Sequence, residues 1–276
     1  MTTWKKALSE GQLQQAITLL IEEIKSAPKD ASLRSSFIEL LCINGDLERA
    51  DDQLIQSIKL FPEYLAGASQ LRHLVKAAQA RKDFSEGAAT AQFVEGDSKV
   101  NELIIELNLA IKNKDYESGY ELAQQLEKGR TTKRFSQNGS MTDEVRDIDD
   151  RLSGYVELFS TAGNYFLVPI KNIKYLEVKD PSSLLENVWR PVEFDIEGLG
   201  EGEGHMPLTY IDSSTDAQKL AKETDWIQLG ASELFVGSGQ KCWLVGDKAV
   251  PIFELNQLSE ITELHRGLDG TGGILT

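Results

Sequence analysis

The stretch INGDLERADDQLIQSIKLFPEY (residues 43–64) repeats the pattern of LSEGQLQQAITLLIEEIKSAPKD (residues 8–30). Laid one over the other, Gly11 meets Gly45, Leu13 Leu47, Ala16 Ala50, Leu20 Leu54, Ile24 Ile58 and Pro28 Pro62, each pair 34 residues apart. Gly45-Asp46 ends one helix and opens the next, and Leu47, Ala50, Leu54 and Ile58 keep a helical period. Ala50 is small where two helices must cross closely, and Pro62 stops the second helix. The preceding ASLRSSFIELLCIN supplies the first helix, with Leu33, Phe37, Leu40 and Leu41 on one face. The unit is therefore helix, turn, helix. A helical hairpin of this period resembles the tetratricopeptide repeat, which stacks into a solenoid.

A degenerate copy follows in VNELIIELNLAIKNKDYESGYELAQQLEKG, where Lys114-Asp115-Tyr116 falls 69 residues beyond Gly45-Asp46-Leu47 and Gly119 beyond Ala50. The segment between is helical to about Ala80 and then loosens, as a third, distorted repeat would. Residues 1–130 are thus expected to form a helical repeat domain of three to four pairs. The first helix of such a pair lines the concave face, which in the second repeat directs Ser32, Ser35, Glu39, Cys42 and Ile43 toward a groove. Grooves of this kind take an extended peptide or a helix.

After residues 131–144, polar and Gly-containing and so suited to a linker, strand-like runs replace helical ones. YVELFSTAGNYFLVPI is two apolar runs around a Gly-Asn turn, and IKYLEVKD follows at once, together reading as a meander of three strands. SSLLENV fits one or two helical turns. WRPVEFDI, MPLTYI, DWIQLG and ELFVGSGQKCWLVGDKAVPIFEL add strands around the polar helix candidate DAQKLAKE. Residues 145–262 are expected to be a mostly β, α+β domain, and 263–276 a flexible tail. The fold class is multidomain, an α-α superhelix followed by α+β.

Charge and composition narrow the function. The formal net charge is −15, with 18 Lys+Arg against 20 Asp+Glu in residues 1–140 and 11 against 24 in 141–276. Nucleic-acid binding relies on clustered Lys and Arg, which this distribution lacks. No apolar run of about 18 residues is long enough to span a bilayer, and no leader pattern follows Lys5 and Lys6, so a cytoplasmic protein is expected. Cys42 and Cys242 sit in apolar patterns without metal-ligand spacing and read as free buried thiols. Of the four tryptophans, Trp189, Trp226 and Trp243 lie in strand-like runs, where a core position is the default.

Catalytic signals are sparse. GLGEGEGH (198–205) interleaves its glycines with Glu201 and Glu203, which repel phosphate, and reads as a flexible hairpin connection. GSGQK (237–241) lacks Walker spacing and reads as a turn. DEVRDIDDRLSG gathers Asp143, Glu144, Asp147, Asp149 and Asp150 without the alternation of a calcium loop, and reads as solvated charge or helix capping. His73, His205 and His265 are scattered, and no nucleophile with a nearby base is identifiable. No cofactor is implied. A metal-dependent hydrolase using Asp147, Asp149 or His205 and a general repeat-containing chaperone are the competing readings.

The phrase LRxxFxELLCxxGDxERAxxQL, here Leu33 to Leu54, and VWxPVxF, here Val188 to Phe194, are more specific than any helical repeat. Together with LSEGQLQQAITLL, DIDDRLSGYVELF, YFLVPIKNIKYLEV, MPLTYI and DWIQLGASELFVGSGQKCWLV, they resemble the ImpE/TagJ family, also called SciE-type virulence proteins, in order from about residue 4 to 258. The polar segment Arg81–Lys99 departs from that pattern. The resemblance implies a non-enzymatic accessory protein of the bacterial type VI secretion system. It implies as partner the N-terminal helix of the small contractile-sheath subunit, with an indirect link to the ClpV-type AAA+ unfoldase.

Overall fold

The computed structural model describes residues 2–94 and 98–261, so the expected tail, 263–276, lies outside the described residues. Helices α1 (Thr3–Ser9) and α2 (Leu13–Ser26) form one hairpin, and α3 (Ala31–Asn44) and α4 (Leu47–Leu60) the next. α2 and α4 begin and end 34 residues apart, as the sequence repeat requires. At the turns, Gly11 and Gly45 take φ of +82° and +86°, a conformation glycine adopts without steric cost. The N–H groups of Gly45 and Asp46 then reach back to Cys42 O and Leu41 O at 3.1 and 2.9 Å, and Gly11 and Gln12 do the same to Leu8 O and Ala7 O at 3.0 and 2.9 Å. Asp30 opens α3 by accepting from the Ser32 and Leu33 N–H groups at 2.9 and 3.1 Å. Leu13, Ala16 and Leu20, and their counterparts Leu47, Ala50 and Leu54, are buried; each such leucine contributes about 2 kcal/mol.

The third repeat differs from expectation. α5 (Leu65–Ser85) is one unbroken 21-residue helix that continues through Ala80 and Arg81. The chain leaves it as the short strand β1 (Gln92–Phe93), which joins the sheet of the C-terminal half. The hairpin geometry then returns in α6 (Ser98–Lys112) and α7 (Tyr116–Gly129), with Lys114 at φ +60° in the place of the turn glycine. Lys114 and Asp115 N–H bond to Ile111 O and Ala110 O at 3.0 and 2.9 Å, the same pattern a third time.

Residues 131–144 are not a linker: they contain a hairpin of β2 (Phe135–Gln137) and β3 (Ser140–Thr142). Asn138 and Gly139 form its turn at φ +50° and +86°, and Phe135 is buried in the core. β4 (Val145–Asp147) follows. β5 (Tyr155–Ser160) and β6 (Tyr165–Pro169) pair around residues 161–164, but β7 (Ile173–Val178) does not extend that meander. A 3-10 turn, Ile170–Asn172, carries the chain across the sheet, and β7 pairs with β8 (Trp189–Ile196).

GLGEGEGH is not a flexible connection either. Most of it forms β9 (Gly200–Pro207), paired along its length with β8. Two of its glycines are packing positions: a Cβ on Gly204 would lie 2.8 Å from Phe159 O, and one on Gly202 3.0 Å from the Phe194 ring. Gly198 and Gly200 instead take φ of +91° and +81°, where glycine turns the chain without steric cost.

α8 (Asp216–Lys219), β10 (Thr224–Gln228), β11 (Phe235–Gly239), β12 (Cys242–Val245), β13 (Lys248–Pro251) and β14 (Gln257–Glu260) complete the chain. The main sheet runs β1-β6-β5-β9-β8-β7-β14-β2-β3, beside a three-stranded sheet β13-β12-β4 and the pair β10-β11.

One apolar core crosses the junction of the halves. It runs from Trp4, Leu40 and Ala50 in the helices to Phe159, Tyr165, Trp189 and Leu234 in the strand-rich half, and a second core lies within that half. The α8 segment closes the turn edge of the helical array. Asp216 accepts from Gln14 N–H at 3.0 Å, Lys219 donates to Asn44 at 3.0 Å, and Lys222 donates to the end of α1 at Ser9 O, 3.0 Å.

Candidate functional site

The junction is built around a buried carboxylate. Glu157 stands on β5 among apolar neighbours and receives both arms of Arg81 from α5 at 2.7 and 2.8 Å. Tyr165 donates to it at 2.7 Å, and the Lys241 ammonium contacts it directly. Burial works against ionisation of Glu157, but Arg81 and Lys241 outweigh it and hold the carboxyl well below the usual carboxylate range. Arg81 also donates to Thr209 O at 2.8 Å, so one side chain ties the helices to two segments of the strand-rich half.

Beside it lies a second buried set. Asp149 binds Arg151 at 2.6 Å and accepts from Gly237 N–H at 2.8 Å, while Arg151 reaches on to Asp212 at 2.6 Å. Asp147 accepts from Tyr210 OH at 2.8 Å and from Asp149 N–H at 2.9 Å. Burial pushes the Asp147 carboxyl up to about 7, with Lys241 pulling against it and Asp149 adding to it. Asp147 and Asp149, expected to be solvated, are thus structural groups at 1% and 0% exposure. Among the described residues no group of three or more His, Cys, Asp or Glu is placed to hold a metal.

Two clefts open on either side of Trp189, which lines both and packs edge-on against Phe159 at 5.6 Å. The first, about 380 Å³, lies between α3, α5 and the β8–β9 hairpin. Leu71, Leu74, Leu185 and Trp189 supply its apolar surface, and Glu39, Glu186 and Glu203 its charge. His205 lies in it too, with its buried Nδ1 lacking a hydrogen-bond partner. Burial lowers the His205 pKa, against the opposing pull of Glu186. The second cleft, about 550 Å³, lies between the repeat turns and the segment 209–213, and the charged part of its lining is mainly cationic.

The five residues that the repeat pattern directs toward a groove separate into two groups. Ser32 and Ser35 are exposed, and Cys42 and Ile43 are buried at 3% and 7% exposure. Burial pushes the Cys42 thiol far up, so it stays protonated. Glu39 lies between the two groups, half-buried, and accepts from Leu185 N–H at 3.0 Å. Only Glu39 of the five lines the apolar cleft, while Cys42 and Ile43, at the C-terminal end of α3, line the second cleft.

Sequence reasoning missed Arg81, which begins the polar segment that departs from the family pattern. The signal lay elsewhere, in YVELF: a glutamate inside an apolar strand run demands a cationic partner from another element. Trp226, expected in the core, is 37% exposed, whereas Trp4, Trp189 and Trp243 are buried.

The family model described as ImpE protein matches residues 139–259, the strand-rich half. The type VI secretion system accessory component TagJ of Pseudomonas aeruginosa is 25% identical over 262 residues, which cover 92% of this chain and 89% of that protein. The crystal structure of protein VPA1032 from Vibrio parahaemolyticus is 65% identical, covers 96% of this chain and 100% of that one, and superposes with a TM-score of 0.93. The same helical half, junction and strand-rich half thus occur together in a solved relative. The chain belongs to the ImpE/TagJ family.

Proposed function

We propose that the protein is a non-enzymatic accessory component of a bacterial type VI secretion system, an adaptor that seats the N-terminal helix of the small contractile-sheath subunit. Its place is cytoplasmic, and its link to the ClpV-type AAA+ unfoldase runs through the sheath subunit it holds. The observation that carries this reading is the cleft of Leu71, Leu74, Leu185 and Trp189 edged by Glu39, Glu186 and Glu203. An amphipathic helix fits such a surface by burying its apolar stripe on the floor and setting basic side chains against the rim. The similarity to TagJ, named as an accessory component of that system, supports the setting.

The cleft also explains how recognition could proceed without turnover. The carboxylates at its edge are separate groups on α3, the 185–187 turn and β9 rather than one cluster. Co-purification of the full-length sheath subunit, with and without its N-terminal helix, tests the reading. Retention of the intact subunit and loss of the truncated one is expected; equal retention of both would refute it.

A further inference from the structure

The second cleft has the opposite character. In a chain of net charge −15, it is lined by Lys82, Lys112, Lys114 and Lys219 with Arg81 and Arg151 at its inner end, against only Glu86 and Asp212. The two arginines are neutralised by Glu157 and by Asp149 with Asp212. The four lysines are not: among the described residues none pairs with a carboxylate, and Lys219 is bonded to the neutral Asn44 amide.

Three separate elements bring these lysines together. Lys82 comes from the end of α5, Lys112 and Lys114 from the α6–α7 turn, and Lys219 from α8. Lys114 stands at the position where the two earlier repeats have glycine, holding φ +60° against its own side chain's preference. Tyr116, Asn108 and Ser213 add hydrogen-bonding groups to the wall.

We propose that this cleft binds a phosphorylated small molecule of nucleotide size, held through its polyphosphate. The volume, about 550 Å³, falls in the range of small-molecule sites rather than that of an extended peptide channel. Lysines bind phosphate as point charges, and several converging on one cleft concentrate a polyanion there without needing the paired arginines. The site is separate from the acidic cleft across Trp189 and does not depend on the sheath-helix reading.

The test is calorimetric titration of the full chain with ATP, inorganic pyrophosphate, adenosine and a polyglutamate peptide, at about 50 mM salt so that screening is weak. Saturable binding of ATP and pyrophosphate but not adenosine is expected, with affinity falling about ten-fold in Lys112→Glu and again in Lys82→Glu. Lys114→Gly removes a cation while relieving its backbone, so weaker binding with an unchanged or higher melting temperature excludes misfolding as the cause. Pyrophosphate matching ATP assigns the affinity to the phosphates; tighter ATP adds the nucleoside to the ligand. Absence of saturable binding to either phosphate, the same affinity in all three variants, or binding of the polyglutamate peptide alone would overturn the proposal.

Discussion

Glu157 is the residue on which the two halves meet. It is a single carboxylate facing two cations, Arg81 and Lys241, and all three are buried. Removing one partner of a buried ion pair leaves uncompensated charge, so Glu157→Gln is expected to cost about 3–5 kcal/mol, read from the urea midpoint. A cost below about 1 kcal/mol, the range of an exposed pair, would show that water reaches the junction. Asp147 provides the complementary case. Its carboxyl titrates at about 7 in the folded protein against 3.8 ordinarily, so the folded state holds the extra proton between those values. Stability therefore contains a component fully present below about pH 4 that is lost as pH rises through 7. Asp147→Asn keeps the acceptor for Tyr210 and removes that component, so its stability relative to the parent should rise from pH 5 to pH 7, by about 1.4 kcal/mol per pH unit, and level off above. An unchanged difference across that interval would mean Asp147 is ionised throughout. The Asp residues of DEVRDIDDRLSG show why such groups escape sequence reading: a charged run looks solvated unless Tyr210, Gly237 and Lys241, far along the chain, are known to surround it.

The repeat hairpin is the element most legible in the sequence, because its determinants are local. Glycine at the turn, a small residue one turn into the next helix and a closing proline occupy fixed offsets, and the turn bonds recur at Gly11, Gly45 and Lys114. Gly45 has open space where a Cβ would stand, so Gly45→Ala tests backbone conformation alone and should cost about 1–2 kcal/mol in thermal or urea unfolding. Lys114→Gly is the reverse change and should stabilise by about 0.5–1 kcal/mol. Sheet order was not legible for the converse reason. β5 and β6 are adjacent in sequence and pair, whereas β7 finds its partners in β8 and the distant β14. The β9 glycines look like a loop because the Phe159 carbonyl and Phe194 ring that exclude side chains there belong to other strands. The Asn138-Gly139 hairpin was legible in principle: Asn-Gly between strand-like residues is a strong local turn signal.

At the scale of the whole molecule, the strand-rich half does not hang from the helical array but covers part of its inner surface. Glu39 receives the Leu185 N–H, Trp189 divides the junction into two clefts, and Arg81 closes it from within. This arrangement could not be read from periodicity, which gives each helix a buried and an open face but not what covers the open one. It also sharpens the site: of Ser32, Ser35, Glu39, Cys42 and Ile43, only Glu39 lies in the acidic apolar cleft, joined there by Leu71, Leu74, Glu186 and Glu203. Because Glu203 is exposed on β9, reversing its charge leaves the core untouched. The most direct test is calorimetric titration of the sheath subunit's N-terminal helix peptide, beside a scrambled version, into the parent protein and into Glu203→Lys and Leu71→Asp. Saturable binding of the native peptide alone, weakened about ten-fold or more in both variants, is the expected result. Equal binding of native and scrambled peptides, or native binding unchanged in both variants, would contradict the assignment of this cleft as the docking site.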